Sequence, residues 1–139
     1  NYRMTNIVAA IGIGQIKELN NTIKKKRLLH QKYEEELSDL PIIFQKKEKE
    51  QLFWVTSILF KNNIEKRKVT ELLDLNKIGW RPLFYPAHKM PMYKNYEYIK
   101  SKNLTISLCK RGIILPSYPC LREIDFKKII NVIRSYFKD

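Results

Sequence analysis

Cysteine is scarce in this chain, and what little there is excludes two whole classes of small protein. Cys109 and Cys120 form no CxxC pair, and His30 and His88 lie far apart, so neither a zinc site nor a disulfide framework is readable. A reducing, cytoplasmic setting is the simpler inference. Glycine is also sparse, at four residues, and proline stops at six, which argues against a disordered or linker-like chain. Long apolar runs are missing: none approaches the roughly 20 residues that span a bilayer, so no membrane partner is expected. The opening Asn1-Tyr2-Arg3-Met4 has neither an initiator Met at its first position nor a signal peptide's organisation. The expectation is a chain that was processed or cut from something longer.

Acidic residues are the last shortage. There are 14 against 27 Lys and Arg, a formal net charge of +13. Such a potential recruits polyanions. The basic residues are nevertheless spread over nearly every segment, with short clusters only at 24–27 and 46–47, which favours a solvated surface over a dedicated nucleic-acid site. What is present is the material of one domain: 139 residues, 44% hydrophobic and 12% aromatic, enough to bury a modest core.

Residues 1–40 read as helix. Ile7, Ala10, Ile11 and Gly14 share a face, Thr5 is a candidate N-cap, and Asn20-Asn21-Thr22 could end one helix and cap the next. Gly12 and Gly14 are poor helix formers, which suggests close approach of another backbone. Pro41 stops the pattern. The run 52–60, LFWVTSILF, reads as a buried strand, with 42–44 a short strand before it. A helix is expected over 65–76, then a strand over 78–81 broken by Pro82. The segment 82–93, PLFYPAHKMPMY, has three prolines and suits an ordered apolar loop against a ligand or another subunit; a packed surface loop is the plainer alternative. One helix or two short ones are expected over 96–111, closed by Gly112 as the residue past the end, then a short strand over 113–115. Phe126, Ile129, Ile130, Ile133 and Phe137 define a last amphipathic helix, with Leu121 or Arg122 where a cap should stand. This alternation predicts an α/β fold, a sheet of about three strands covered by helices on one face, with a long N-terminal helical arm.

Three stretches together resemble the DegT/StrS-type sugar aminotransferases, a branch of the fold-type I pyridoxal-phosphate enzymes: NYRMTNIVAAIGIGQ at 1–15, GWRPLFYPAHKMPMY at 79–93, and GIILPSYP at 112–119 before the final helix. They stand in the family's order over essentially the whole chain. The Arg-Pro-x-Phe-Tyr-Pro-x-His run is most similar to perosamine-synthase-like members, which aminate a nucleotide-linked 4-keto-6-deoxyhexose. Trp80 departs from the pattern, standing where many relatives carry a small polar residue.

The resemblance implies that this is the small C-terminal α/β domain (41–139) with a helical arm (1–40) leading to a cofactor-binding domain and a dimer interface. The Schiff-base lysine is expected outside this chain, which alone would be inactive. By the same resemblance, Asn1 reaches the phosphate of pyridoxal 5'-phosphate in the neighbouring subunit of a homodimer. An Asn amide donates to a phosphate oxygen without adding charge. Arg3, a bidentate anion donor, contacts the phosphate-bearing substrate or else makes an ordinary ion pair at a helix start. His88 lines the sugar-nucleotide pocket or is a packing residue; Arg81 and Tyr85 are weaker candidates for pyrophosphate and sugar. The implied reaction is ping-pong transamination from an amino-acid donor, by family expectation glutamate, to the sugar ketone. Two other readings compete: a basic nucleic-acid-binding module with Tyr93, Tyr96 and Tyr98 as stacking surfaces, and a non-catalytic structural or interaction domain.

Overall fold

A computed structural model of the chain describes residues 2–48, 51–97 and 104–138. Helix α1 (Asn6–Lys17) begins where the Thr5 hydroxyl accepts a hydrogen bond from the Val8 N–H at 3.3 Å, as a short polar N-cap should. Helix α2 (Leu19–Leu37) follows after Glu18 alone. The break is therefore two residues earlier than Asn20-Asn21-Thr22 suggests. Those residues sit in the first turn of α2, where Asn21 donates to the Glu18 carboxylate at 3.2 Å. A Cβ added at Gly12 or Gly14 would meet nothing within 4 Å, so the expected close backbone approach is not made by the described residues.

Among the described residues the sheet has four strands, one more than expected: β1 (Ile43–Phe44), β2 (Thr56–Leu59), β3 (Arg81–Pro82) and β4 (Gly112–Leu115), in the order β1-β2-β4-β3 and antiparallel throughout. Only the end of the apolar run 52–60 is strand, because β4 offers just four residues to pair with. Before it the chain turns sharply, the Trp54 N–H donating to the Leu52 carbonyl at 3.0 Å. The strand expected over 78–81 moves to Arg81–Pro82, since the Ile78 N–H closes the end of helix α3 (Asn63–Leu75) on the Leu73 carbonyl at 2.9 Å. Lys77 adopts φ 57 to make that closure, a left-handed geometry costing a non-glycine residue about 1–2 kcal/mol. Pro82 does not break the sheet, because β3 is an edge and an edge tolerates a missing donor.

Of the stretch 96–111 expected as helix, Leu104–Arg111 forms helix α4, Tyr96 and Glu97 are not helical, and residues 98–103 lie outside the described set. Gly112 opens β4 directly instead of capping α4. A Cβ there would lie 2.1 Å from Leu83 Cδ1 and 2.8 Å from Leu59 Cδ2, so close packing requires the glycine. Helix α5 (Glu123–Tyr136) starts at Arg122, whose guanidinium grips Asp125 in two bonds of 2.6 and 3.0 Å instead of an Ser or Thr cap. Between β3 and α4, the proline-rich segment contains two single 3₁₀ turns, Ala87–Lys89 and Pro91–Tyr93.

The core lies on one sheet face. Ile58, Ile113 and Leu115 meet Tyr33 and Leu37 of α2, Val69 and Leu73 of α3, and Phe126, Ile129, Ile130 and Ile133 of α5. Each such side chain contributes about 1.5–3 kcal/mol when fully buried. The opposite register, Ser57 paired with Ile114 and Ile114 with Arg81, faces away from this cluster.

Candidate functional site

A cleft of about 730 Å³ opens at the β3–β4 edge. Its floor is Ile114, Leu115 and the turn 116–119. The walls are Lys26 of α2, Trp54, the stretch 77–82, Phe84, and the start of α5 at Asp125 and Lys128. The turn is fixed from inside the fold. Ser117 Oγ accepts from the Thr56 N–H at 2.8 Å and donates to the Leu115 carbonyl at 2.6 Å, and the Tyr33 hydroxyl donates to the Pro116 carbonyl at 3.0 Å. Burial pushes the Tyr33 phenol well above its ordinary range, so it remains a donor at any working pH.

The aromatic wall is held by three ties. Trp54 and Phe84 stack with ring centroids 6.0 Å apart and planes 17° from parallel. The Lys26 ammonium donates to the Trp54 carbonyl. The indole N–H of Trp80 donates to Asp74 Oδ1 at 2.8 Å. Lys26, Lys77, Arg81 and Lys128 face a single carboxylate, Asp125, in this lining, and Asp125 is already paired with Arg122. Burial lowers the affinity of Lys26 for its proton. Cations beside exposed aromatic planes suit an anionic ligand that carries a flat ring.

Of the residues singled out from sequence, Arg81 lines this cleft, and no described side chain pairs with its guanidinium. Tyr85 is exposed and His88 half-buried in the first 3₁₀ turn; neither belongs to the cleft lining. Arg3 is exposed ahead of α1, and Asn1 lies outside the described residues. Tyr93 and Tyr96 pack edge-on against each other at 6.2 Å, while Tyr98 lies outside the described residues.

Sequence reasoning missed Lys26, Trp54, Tyr118 and Lys128, which come together from four distant segments. It also missed His30, 1% exposed on α2. Its ring stacks on Phe53 at 3.6 Å and 13° and meets Phe44 edge-on at 6.0 Å, and Nδ1 lies 3.4 Å from Thr56 Oγ1. Among the described residues there is no group of His, Cys, Asp and Glu fit to hold a metal, both cysteines are free, and no helix is long and apolar enough to cross a membrane.

Residues 1–134 match the DegT/DnrJ/EryC1/StrS aminotransferase family. The chain belongs to this family. GDP-perosamine synthase of Vibrio cholerae is 39% identical over 99% of this chain, and that of Escherichia coli O157:H7 34% identical over all of it. In both cases the chain spans 38% of the relative's length. A DegT/DnrJ/EryC1/StrS aminotransferase from Brucella abortus shares the fold with a TM-score of 0.87 at 25% identity, covering 99% of this chain and 37% of that one. DesV of S. venezuelae shares it with a TM-score of 0.87 at 18% identity, covering 99% and 38%. The α/β architecture is thus that of sugar aminotransferase structures.

The family uses pyridoxal phosphate, whose ring needs an amine to anchor it and a carboxylate at the pyridine nitrogen. The described cleft does not fit that demand. Lys26 and Lys128 are committed to the carbonyls of Trp54 and Asn76, Asp125 to Arg122, and Lys77 is on the exposed rim. What the cleft presents is cationic and aromatic side chains, not the anchoring groups of the cofactor.

Proposed function

We propose that this chain supplies the substrate-orienting part of a pyridoxal-phosphate-dependent aminotransferase acting on a GDP-linked keto-deoxy sugar, with glutamate as amino donor. The observation that carries the reading is the cleft itself, in which Arg81 and Lys26 stand beside the planes of Trp54, Trp80 and Phe84. The two perosamine synthases supply the substrate class by similarity. Residues 41–139 act as the small C-terminal domain of the complete enzyme. Residues 1–40 are the arm toward a cofactor-binding domain that carries the anchoring lysine, and the enzyme works as a cytoplasmic homodimer. In this reading Asn1 holds the cofactor phosphate of the neighbouring subunit, Arg3 and Arg81 hold phosphate oxygens of the substrate, and Tyr85 and His88 contact its sugar. These residues bind and orient; fixing the ketone in a reactive position is worth several kcal/mol without any proton transfer by this chain.

The test uses the full native polypeptide carrying this segment, supplied with cofactor, glutamate and a GDP-linked 4-keto-6-deoxyhexose, with amino-sugar product followed by chromatography. Arg81→Ala is expected to raise KM for the sugar nucleotide by about ten- to a hundred-fold, the worth of one or two charge-assisted hydrogen bonds. The 139-residue chain alone should form no product. Product from the isolated chain, or none from the full polypeptide with any nucleotide-linked keto sugar, would overturn the proposal.

A further inference from the structure

The segment that carries the cleft's aromatic wall is held from behind by one helix. Phe53 covers the His30 ring, and Thr56 faces its Nδ1. Lys26, one turn earlier on α2, takes the Trp54 carbonyl. Residues 53, 54 and 56 are therefore all tied to positions 26 and 30, and the Trp54 side chain lines the cleft.

We propose that His30 is a proton-sensitive positioning residue, a latch beneath Phe53 that sets the place of the Trp54 wall. A carboxylate beside Nε2 favours the tautomer of the neutral ring with its proton there, which leaves Nδ1 to accept from the Thr56 hydroxyl. Nε2 lies 3.5 Å from Glu34 Oε1, at ion-pair distance, and has no hydrogen-bond partner among the described residues. The charged groups facing the ring are few. Glu34 comes from the same helix, Lys47 reaches Glu34 from the chain after β1, and Lys26 lies one turn away on α2. Among the described residues, β1 and the chain before β2 set only Phe44 and Phe53 against the ring.

Protonation changes each tie. Nδ1 becomes a donor, so the Thr56 hydroxyl must turn away. The imidazolium competes with Lys47 for Glu34, and a charge is left under an aromatic ring with almost no access to water. Burial holds His30 below the ordinary histidine range, against the pull of Glu34 and with a smaller push from Lys47. A base with a depressed folded-state pKa takes up fewer protons folded than unfolded. The neutral latch is therefore intact above about pH 6.5, the unfolded value, and is lost as pH falls through the lower folded value.

The proposal rests on the cleft reading only for its consequence, so the test reads the wall directly. Trp80→Phe in the 139-residue chain leaves Trp54 as the sole tryptophan, and its emission is followed from pH 8 to pH 4.5. A single step with a midpoint below about 6.5 is expected. His30→Gln, which keeps a partner for Thr56 but does not titrate, should abolish the step and hold the pH 8 spectrum throughout. Glu34→Gln, which leaves the histidine in place, should move the midpoint to lower pH and serves if the first variant does not fold. No step in the parent chain, a step that persists in His30→Gln, or a midpoint indifferent to Glu34→Gln would overturn the latch. Binding of GDP at pH 8 is scored separately, on the chain that keeps Trp80. A step without nucleotide binding leaves the latch standing and removes the ligand reading of the cleft; binding without a step does the reverse.

Discussion

Helices α1 and α5 are both rich in isoleucine, yet one buries nothing and the other anchors the fold. On α5, Phe126, Ile129, Ile130 and Ile133 are at most 4% exposed, whereas on α1 Ile7 is 75% exposed and Ile16 70%. The difference is arrangement, not content. The α5 positions fall at i, i+3, i+4 and i+7, one stripe on one side, and Lys127, Lys128, Asn131 and Arg134 take the rest. On α1, Ile7, Val8, Ile11, Ile13 and Ile16 run around the cylinder, so no single neighbour could cover them. A helix apolar on every side is one whose burial needs several partners, and the described residues offer it only the start of α2.

The comparison is sharpened most by cutting the stripe that works. Ile133 is fully buried among α5's partners, so Ile133→Ala removes both transfer energy and packing. It should cost about 2–5 kcal/mol in urea unfolding. A cost below about 1 kcal/mol would mean that the α5 stripe does not anchor the core.

Two caps make a matched pair. The Asn62 side chain accepts from the Ile64 and Glu65 N–H groups at 2.9 Å, starting α3, which packs on α5. Thr5 does the same for α1. Asn62→Ala should lower global stability by about 0.5–2 kcal/mol. Thr5→Ala should leave the global transition in place, because α1 frays below it; amide exchange should show the loss confined to residues 6–17. Equal global effects from the two would place α1 inside the cooperative unit.

What was readable in the sequence follows the same division. The stripe of α5, the cap at Thr5 and strands β1 and β4 depend on local pattern, and local pattern found them. The run 52–60 misled because aromatic and β-branched density marks both a buried strand and an aromatic wall, and only Thr56–Leu59 finds a partner strand. Residue 78 misled because its N–H serves the end of α3. The cleft was legible in part through two family motifs, 79–93 and 112–119, which supply much of its lining, although Arg81 was the one binding candidate among them that lines it. Lys26, Trp54 and Lys128 lie outside both motifs and meet them only after the chain has folded, and no spacing announces them. His30 gave no signal either, since its meaning comes from Phe53 and Thr56, beyond the reach of any helical period.

The smallest expected effect tests the other half of the comparison. Ile11 is 61% exposed on α1, and a lysine there can lay its methylenes along the helix while its ammonium stays in water. Ile11→Lys should therefore change the stability of the 139-residue chain by no more than about 0.5 kcal/mol, the range of ordinary surface substitutions. It should also reduce self-association, since it breaks up the exposed apolar surface of Ile7, Val8, Ile11 and Ile13. The same substitution at Ile129, 3% exposed, would bury an unpaired charge and should unfold the domain. A large loss at position 11 that shrinks with dilution would show that the helix is covered in solution by another copy of the chain, and the contrast with α5 would then be one of partner, not of pattern.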